Sequence, residues 1–443
     1  MARGRRLVLF RGDRALWIIV AILCITSILV VYSSTVSMAY REMQGDTSFY
    51  VLRQFRFVLV GFFITVVVHW IEPRFYLRRS RLFFTISILM ALLAYTPWFG
   101  ANINGASRWF AIEGISGTIL PSDPLKLSLV MVLAVQLGRR QKIINSVRLL
   151  PSLSARQWRE HPTENIEIFY GITRPILLPI FLSVAVVMPS NLSTSLIIFA
   201  LSMVMLMVGR VRIAAIMGLV LKTAMLMIVV IALMYALGIG RAQTWVGRLS
   251  TFTGIGVDDT QGQQGSVDDE FQKTQAKIAI ASGGIVGKGP GNSTQRTNLP
   301  HPYSDFAYAF IIEEYGVVGG ILILVLYLWV LYRTGMIMNR CESPTYRLLV
   351  MGMGIIIVIS AFVNMAVSVG LFPVTGQSLP LISLGGTSVI FTSIAFGVIL
   401  GVSRVNEEAL LQKKRQRLLE QQQEEELFVE QISEELDLEN IKL

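Results

Sequence analysis

Residues Leu299–Arg333 read LPHPYSDFAYAFIIEEYGVVGGILILVLYLWVLYR. From Phe306 onward the stretch is apolar enough to lie in lipid, yet Asp305 stands at its start and Glu313 and Glu314 lie within it. Charge in hydrocarbon is expensive, so each carboxylate either has a partner or does a job. For Asp305 the plain reading is a helix cap, since Asp is favourable at a helix amino terminus. Glu313 and Glu314 follow eight and nine residues later, which at a 1.5 Å rise is ~12–14 Å further into the membrane and too far for shared chemistry. They are expected to face the bundle interior or a wet cavity, with Lys222 or Arg108 as candidate ion-pair partners.

The rest of the chain has the same character. Of 443 residues, 53% are hydrophobic and 15% charged, and the mean hydropathy is +0.59. A soluble domain carries about 25% charged residues, so the composition predicts an all-α polytopic membrane protein and gives no reason to expect nucleic-acid binding. Apolar runs near the ~20 residues that a spanning helix needs recur along the chain. They fall near Leu16–Ser34, Phe57–Ile71, Leu82–Phe99, Leu120–Gly138, Ile176–Pro189, Thr194–Gly209, Ile213–Leu237, Phe306–Tyr332, Leu348–Gly370 and Ser388–Val402, ten spans in all. Ile176–Pro189 is short enough to be half of a re-entrant pair.

Arg and Lys collect in alternate links: Arg3 to Arg14, Arg74 to Arg81, and Arg139 to Arg174. The positive-inside rule assigns these links, and both termini, to the cytoplasm. The first span follows an Arg-rich start but is long and lacks a small-residue cleavage site, so it reads as a retained anchor. Cys24 and Cys341 predict no structural disulfide, and the scattered His69, His161 and His301 lack zinc-site spacing.

Two regions are not built for lipid. Residues 405–443 hold eleven acids and five bases, a net of −6 that leaves +16 on residues 1–404. This tail reads as a solvated helix, a disordered segment, or a docking element for cytoplasmic partners. The link 238–304 is a large extracytoplasmic loop by the same orientation count, too long to be a bare connection. Within it FQKTQAKIAIASGGIVGKG looks like a helix ended by glycines. SGGIVGKGPGNST lacks P-loop spacing because Gly289 follows Lys288, so nucleotide binding is not expected, although the turn's N–H groups and Lys288 could meet another phosphate.

Several blocks together resemble the SEDS family (shape, elongation, division and sporulation). LPHPYSDFAYAFIIEEYGVVGG is similar to the family signature L-P-x-x-x-T-D-F…G-E-E-L-G, and Asn364–Ser388, NMAVSVGLFPVTGQSLPLISLGGTS, is similar to its second signature. NGASRWFAIEGISGTILPSDPLK and RLSTF…FQKTQAKIAIASGGIVGKGPGNSTQ agree as well, and the likeness runs from Asp13 to Arg404. The acidic tail and the wording of the blocks point to the division branch rather than the elongation branch.

The resemblance implies a peptidoglycan glycosyltransferase that polymerises lipid II at the outer face of the bacterial cytoplasmic membrane, paired with a class B penicillin-binding transpeptidase and other division proteins. The family's essential carboxylate falls on Asp305, expected to take the proton from the acceptor's 4-hydroxyl. Arg248, Gln275 and Lys288 fall on the loop motif and are favoured as substrate-binding groups, ahead of Arg241, Lys273 and Arg296, because a departing pyrophosphate needs cations. Attraction to anionic lipid headgroups is the plain alternative for any one of them.

In the LPSDPLK block, Asp123 and Lys126 are three apart and share a helix face as an ion pair, either supporting the site or meeting substrate. Leu120 and Asp123 replace a usual Gln and Glu there. Arg108 and Trp109 are candidates to line a sugar cavity, Trp109 otherwise serving as an interfacial anchor. MPSNLST, Met188–Thr194, lacks the family's usual acid, so that acid's role is not carried over. Pro373, Gly376, Pro380, Ser383, Gly385 and Gly386 break the chain after the ninth span, where irregular backbone is tolerated only if buried or lining a cavity. No cofactor is certain; use of a divalent cation stays open. A lipid II flippase, an elongation-type polymerase and a non-catalytic scaffold remain the competing functions, and transport would call for internal repeats that the sequence does not display.

Overall fold

The computed structural model describes residues 10–35, 48–103, 106–111, 118–144, 162–238, 245–246, 263–295, 305–384 and 386–440. In chain order the helices are α1 (Arg14–Ser34), α2 (Ser48–Trp70), α3 (Pro73–Arg78), α4 (Ser80–Leu93), α5 (Ser122–Ile144), α6 (Pro162–Ile168), α7 (Arg174–Val187), α8 (Leu192–Val208), α9 (Ile213–Ala236), α10 (Gln263–Gly283), α11 (Ala307–Arg340), α12 (Pro344–Ser368) and α13 (Gly386–Asn440). A π turn over Phe169–Thr173 joins α6 to α7. Among the described residues seven helices are long and apolar enough to cross a membrane: α1, α2, the run Ile166–Val187, α9, α11, α12 and the first part of α13. With the shorter apolar α4 and α8, and with α5, they make the ten spans read from the sequence. The fifth is a helical run of 22 residues, so Ile176–Pro189 is the latter part of a full span and not half of a re-entrant pair.

Helices α5 and α12 form the centre. Every residue from Leu125 to Leu137 is buried, including Lys126, Ser128 and Gln136, as befits a helix packed on all sides. Over its span α12 is 72% buried against 17% for α9, which puts α9 at the edge of the bundle. Small residues let the central helices approach closely. A Cβ on Gly352 of α12 would stand 2.4 Å from Val130 and 2.7 Å from Met205, and one on Gly354 would stand 2.5 Å from Thr334.

The end of the bundle where α1 begins is fastened by ions. Asp13 caps α1 by accepting from the Leu16 N–H at 3.0 Å, and the Arg333 guanidinium grips both of its oxygens, Nε at 3.1 Å from Oδ1 and a terminal nitrogen on Oδ2. Arg404 is buried and donates to the carbonyls of His69 and Trp70, each at 3.3 Å. From there α13 runs on as an exposed helix, and of the alternatives for the tail the structure shows a helix.

At the opposite, loop end, a small antiparallel sheet of order β1-β2-β3 joins α4 to α5. Its strands are β1 (Gly100–Ile103), β2 (Ala106–Ala111) and β3 (Thr118–Ile119). Gly100 pairs with Phe110 and Ala101 with Trp109, and the Phe99 and Phe110 rings stack at 5.7 Å. This sheet is absent from the all-α expectation, since six residues of weak alternation are a faint signal.

The chain between α12 and α13 turns back into the bundle without regular structure. Leu379, Ile382 and Ser383 are buried there. Backbone in such a place needs partners for its polar groups, and three neighbouring helices supply them. The Tyr327 hydroxyl donates to the Pro380 carbonyl at 2.6 Å, the Ser27 hydroxyl to that of Ile382 at 3.1 Å, and the Asn364 amide to that of Gln377 at 2.7 Å. The Ser383 hydroxyl accepts from the Leu379 N–H at 2.8 Å. The break expected from Pro373, Gly376 and Pro380 is therefore present, and its later part, Leu379 to Ser383, is buried. Gly386 starts α13 against the Phe57 ring, which a Cβ would meet at 2.8 Å, and Gly385 lies outside the described residues.

Candidate active site

Asp305 immediately precedes Phe306, the N-cap residue of α11, and is half-buried. Phe306 is fully buried in a small apolar cluster with Ala276 and Ala279 of α10, Ala309 of α11 and Val367 of α12. This cluster seats α10 against the heads of α11 and α12 and fixes the floor beneath Asp305. The Asp305 carbonyl accepts from the Asn364 amide at 3.0 Å, and the same nitrogen donates to the Gln377 carbonyl. Gln377 in turn donates through Nε2 to the Thr194 hydroxyl at 3.0 Å, and the Thr194 N–H is capped by Asn191 at 3.0 Å. In this chain of hydrogen bonds Asn364 touches Asp305, and Gln377, Thr194 and Asn191 carry it on to the head of α8.

Glu313 and Glu314 have partners that sequence reasoning did not choose. Glu313 is fully buried and pairs with Lys288 at 2.8 Å. The same carboxylate accepts from the Ser293 hydroxyl, from the Thr294 N–H and hydroxyl at 2.9 Å each, and from the Gln295 N–H at 3.3 Å. Glu314 accepts from the Ser33 hydroxyl and, at 2.9 Å, from the Gly291 N–H. Lys222 is exposed on α9, and the Arg108 side chain lies outside the described residues. Ser33 is twenty residues beyond Asp13 on α1, a helical distance of about 30 Å and hence one full hydrocarbon thickness. The two glutamates therefore stand at the loop end of the bundle and not deep within it, which corrects their expected depth.

The glycine-rich turn is what these acids hold. Helix α11 bends sharply at Gly316, whose φ of 69° and ψ of −177° belong to a region essentially confined to glycine. The broken helix exchanges hydrogen bonds with the turn: Lys288 and Gly289 donate to the Glu313 and Glu314 carbonyls at 3.0 and 2.9 Å, and Val317 donates to the Gly284 carbonyl at 3.0 Å. Backbone meets backbone so closely that a Cβ on Gly287 would stand 2.2 Å from the Glu314 carbonyl. The N–H groups of Lys288, Gly289 and Gly291 are used by the protein's own α11, those of Gly287 and Asn292 by the turn itself, and the Lys288 ammonium is already compensated by Glu313.

The remaining expected residues divide. Asp123 and Lys126 form the predicted pair at the head of α5, 2.9 Å apart and with side chains only 13% and 7% exposed. Trp109 is half-buried on β2. Gln275 is half-buried on α10, next to the cluster beneath Asp305, and Arg248 lies outside the described residues. Lys273 and Lys277, one turn apart on α10, lay their stems against Gly370 at the end of α12, with Cε atoms 3.4 and 3.0 Å from a Cβ placed there. Among the described residues no group of three or more His, Cys, Asp or Glu side chains stands together as a metal site. Along α9, Ile216, Leu219 and Thr223 are buried, and no residue from Ala224 to Ala236 is. That half of α9 presents apolar surface beside the loop end.

Sequence reasoning did not assign a role to Asn364, Gln377 or Thr194. The signal lay in their residue types, since amides and hydroxyls inside apolar spans need buried partners.

Among curated proteins, the chain is 28% identical over 394 residues to the probable peptidoglycan glycosyltransferase FtsW of Trichlorobacter lovleyi, covering 88% of this chain and 93% of that one. It is 30% identical over 395 residues to the protein of the same name from Aliivibrio salmonicida, covering 88% of each. Among solved structures it superposes on a chain of a peptidoglycan synthase complex described as coordinating polymerization and crosslinking, with a TM-score of 0.63 at 22% identity over 89% of this chain and 98% of that one. The rod shape determining protein RodA of Thermus thermophilus gives 0.57 at 19% identity over 90% and 98%. These two likenesses establish the fold. Residues 13–408 match the family model of the FtsW, RodA and SpoVE cell cycle proteins, and the chain belongs to that family.

Proposed function

We infer that the protein is a peptidoglycan glycosyltransferase that polymerises lipid II, a disaccharide-pentapeptide on undecaprenyl pyrophosphate, for cell division. The observation that carries this reading is Asp305, a half-buried carboxylate at the loop end whose backbone is pinned between α11 and α12. In the reaction Asp305 accepts the proton of the acceptor sugar's 4-hydroxyl while that oxygen attacks the donor's anomeric carbon. The bond from that carbon to the pyrophosphate breaks, and undecaprenyl pyrophosphate departs with the electron pair. Arg248, Gln275, Lys273 and Lys277 are the groups offered to its growing charge. Lys126 and Lys288, each paired with an acid, support the site by holding α5 and the glycine turn in place. The apolar half of α9 gives the polyprenyl tails a lateral approach.

The excess of Arg and Lys in the links at the ionic end assigns that end and both termini to the cytoplasm, so the loop end faces outward, where lipid-linked sugars are polymerised. Crosslinking falls to a class B penicillin-binding transpeptidase, a pairing supported by the likeness to a chain of a synthase complex.

Purified protein, its transpeptidase and labelled lipid II are combined and the product is resolved on a gel. The wild type yields polymer ladders; Asp305→Ala and Asp305→Asn, equally well inserted, lose at least ~100-fold in rate, the scale of a general base. Near-normal ladders from either variant would remove the proposal. Translocation of lipid II in vesicles without polymer would favour the flippase.

A further inference from the structure

Asn364 is fully buried, and both hydrogens of its side-chain amide are spent on backbone carbonyls, that of Asp305 at 3.0 Å and that of Gln377 at 2.7 Å. Its own Oδ1 has no partner among the described residues. A buried acceptor left open is unfavourable, so the amide faces the two carbonyls because turning it over would set oxygen against oxygen. The Asp305 carbonyl lies just before Phe306, the N-cap residue of α11. Asn364 is its partner, and Phe306, immediately after it, is locked by full burial. With the peptide between Asp305 and Phe306 held on both sides, the Cα from which the Asp305 side chain departs is held in place, and the carboxylate swings from a set point. The Gln377 end is anchored in turn by Thr194, itself buried at the head of α8.

We propose that Asn364, with the Gln377–Thr194 hydrogen bond behind it, is a positioning residue that sets the direction of the Asp305 carboxylate without touching substrate. The proposal rests on the reading of Asp305 as the base. A base displaced by about an ångström loses rate and not substrate affinity, because aligned geometry supplies a large part of the rate. The clamp ties together α8, α11, α12 and the irregular segment after α12.

The test uses the full-length protein with its transpeptidase and labelled lipid II, and measures kcat and KM separately. Asn364→Asp keeps the shape but exchanges the donating nitrogen for an acceptor facing two carbonyls; kcat is expected to fall at least ~30-fold with KM within ~3-fold of wild type. Thr194→Val removes the acceptor for Gln377 and is expected to lower kcat ~5- to 10-fold, most of it recovered in Thr194→Ser, which restores the hydroxyl. Thermal transitions of all variants are recorded in the same detergent, because a variant that merely fails to fold loses its transition along with its rate. Wild-type kcat in Asn364→Asp, a loss that resides in KM, or equal defects in Thr194→Val and Thr194→Ser would overturn the proposal. Asp305→Ala is run in parallel. If it is active the base reading falls, whereas if it is dead and Asn364→Asp is fully active only the positioning role falls.

Discussion

Glu313→Gln isolates the charge that holds the glycine turn. The substitution keeps the shape, and the amide oxygen can still accept from the Thr294 and Gln295 N–H groups that now reach Oε1. The amide's NH2 can be met by the Ser293 hydroxyl, which rotates to accept. What is lost is the negative charge opposite Lys288, 2.8 Å away. Breaking a fully buried pair costs ~3–5 kcal/mol; the Lys288 side chain is 25% exposed and partly solvated, so the low end, about 3 kcal/mol, applies. At ~1.4 kcal/mol per decade this raises the open population of the turn roughly 100-fold. Hydrogen exchange reads that opening at the N–H groups of Lys288, Gly289, Gly291, Thr294 and Gln295, all bonded to Glu313 or Glu314. The double variant Lys288→Met with Glu313→Gln, which strands no charge, is expected to recover much of the protection. Exchange within ~3-fold of wild type in Glu313→Gln, or a double variant as labile as the single one, would refute the reasoning.

Two further outcomes are expected. Gly316→Ala places a Cβ 2.1 Å from the Ile285 carbonyl in a backbone region essentially confined to glycine, so it should abolish stable folding in membranes, whereas Gly335→Ala on the same helix, with open space at its Cβ, should leave the thermal transition unchanged or raise it. Asp13→Ala removes the α1 cap and strands Arg333, a loss of about 3 kcal/mol, and should lower the transition measured in detergent; Arg11→Ala breaks only a 3.3 Å pair between half-exposed side chains, and its effect should stay within about 0.5 kcal/mol.

Ten spans were legible because the free energy of moving a side chain into lipid belongs to that residue, and ~20 of them in a row sum to a signal that needs no partner. The same holds for the break at Pro373, Gly376 and Pro380, since proline and glycine act on their own backbone. The Asp123–Lys126 pair was legible because three residues on a helix are neighbours whatever the fold. The small sheet was missed because its strands are short, and the bend in α11 because one glycine in an apolar run looks like any other.

The sequence by itself determined that the chain is a ten-span membrane protein with a carboxylate at the head of its eighth span, and the order of its motifs identified the family. Only the tertiary structure decided which groups answer one another. Glu314 found Ser33 across 281 residues, Gln377 found Thr194 across 183, and Asn364 found Asp305 across 59. Hydropathy is a property of each residue, whereas a hydrogen bond or ion pair is a property of two whose separation is set by how the helices pack. For that reason Lys288, which reads in sequence as a ligand for phosphate, is in the folded protein the partner of Glu313.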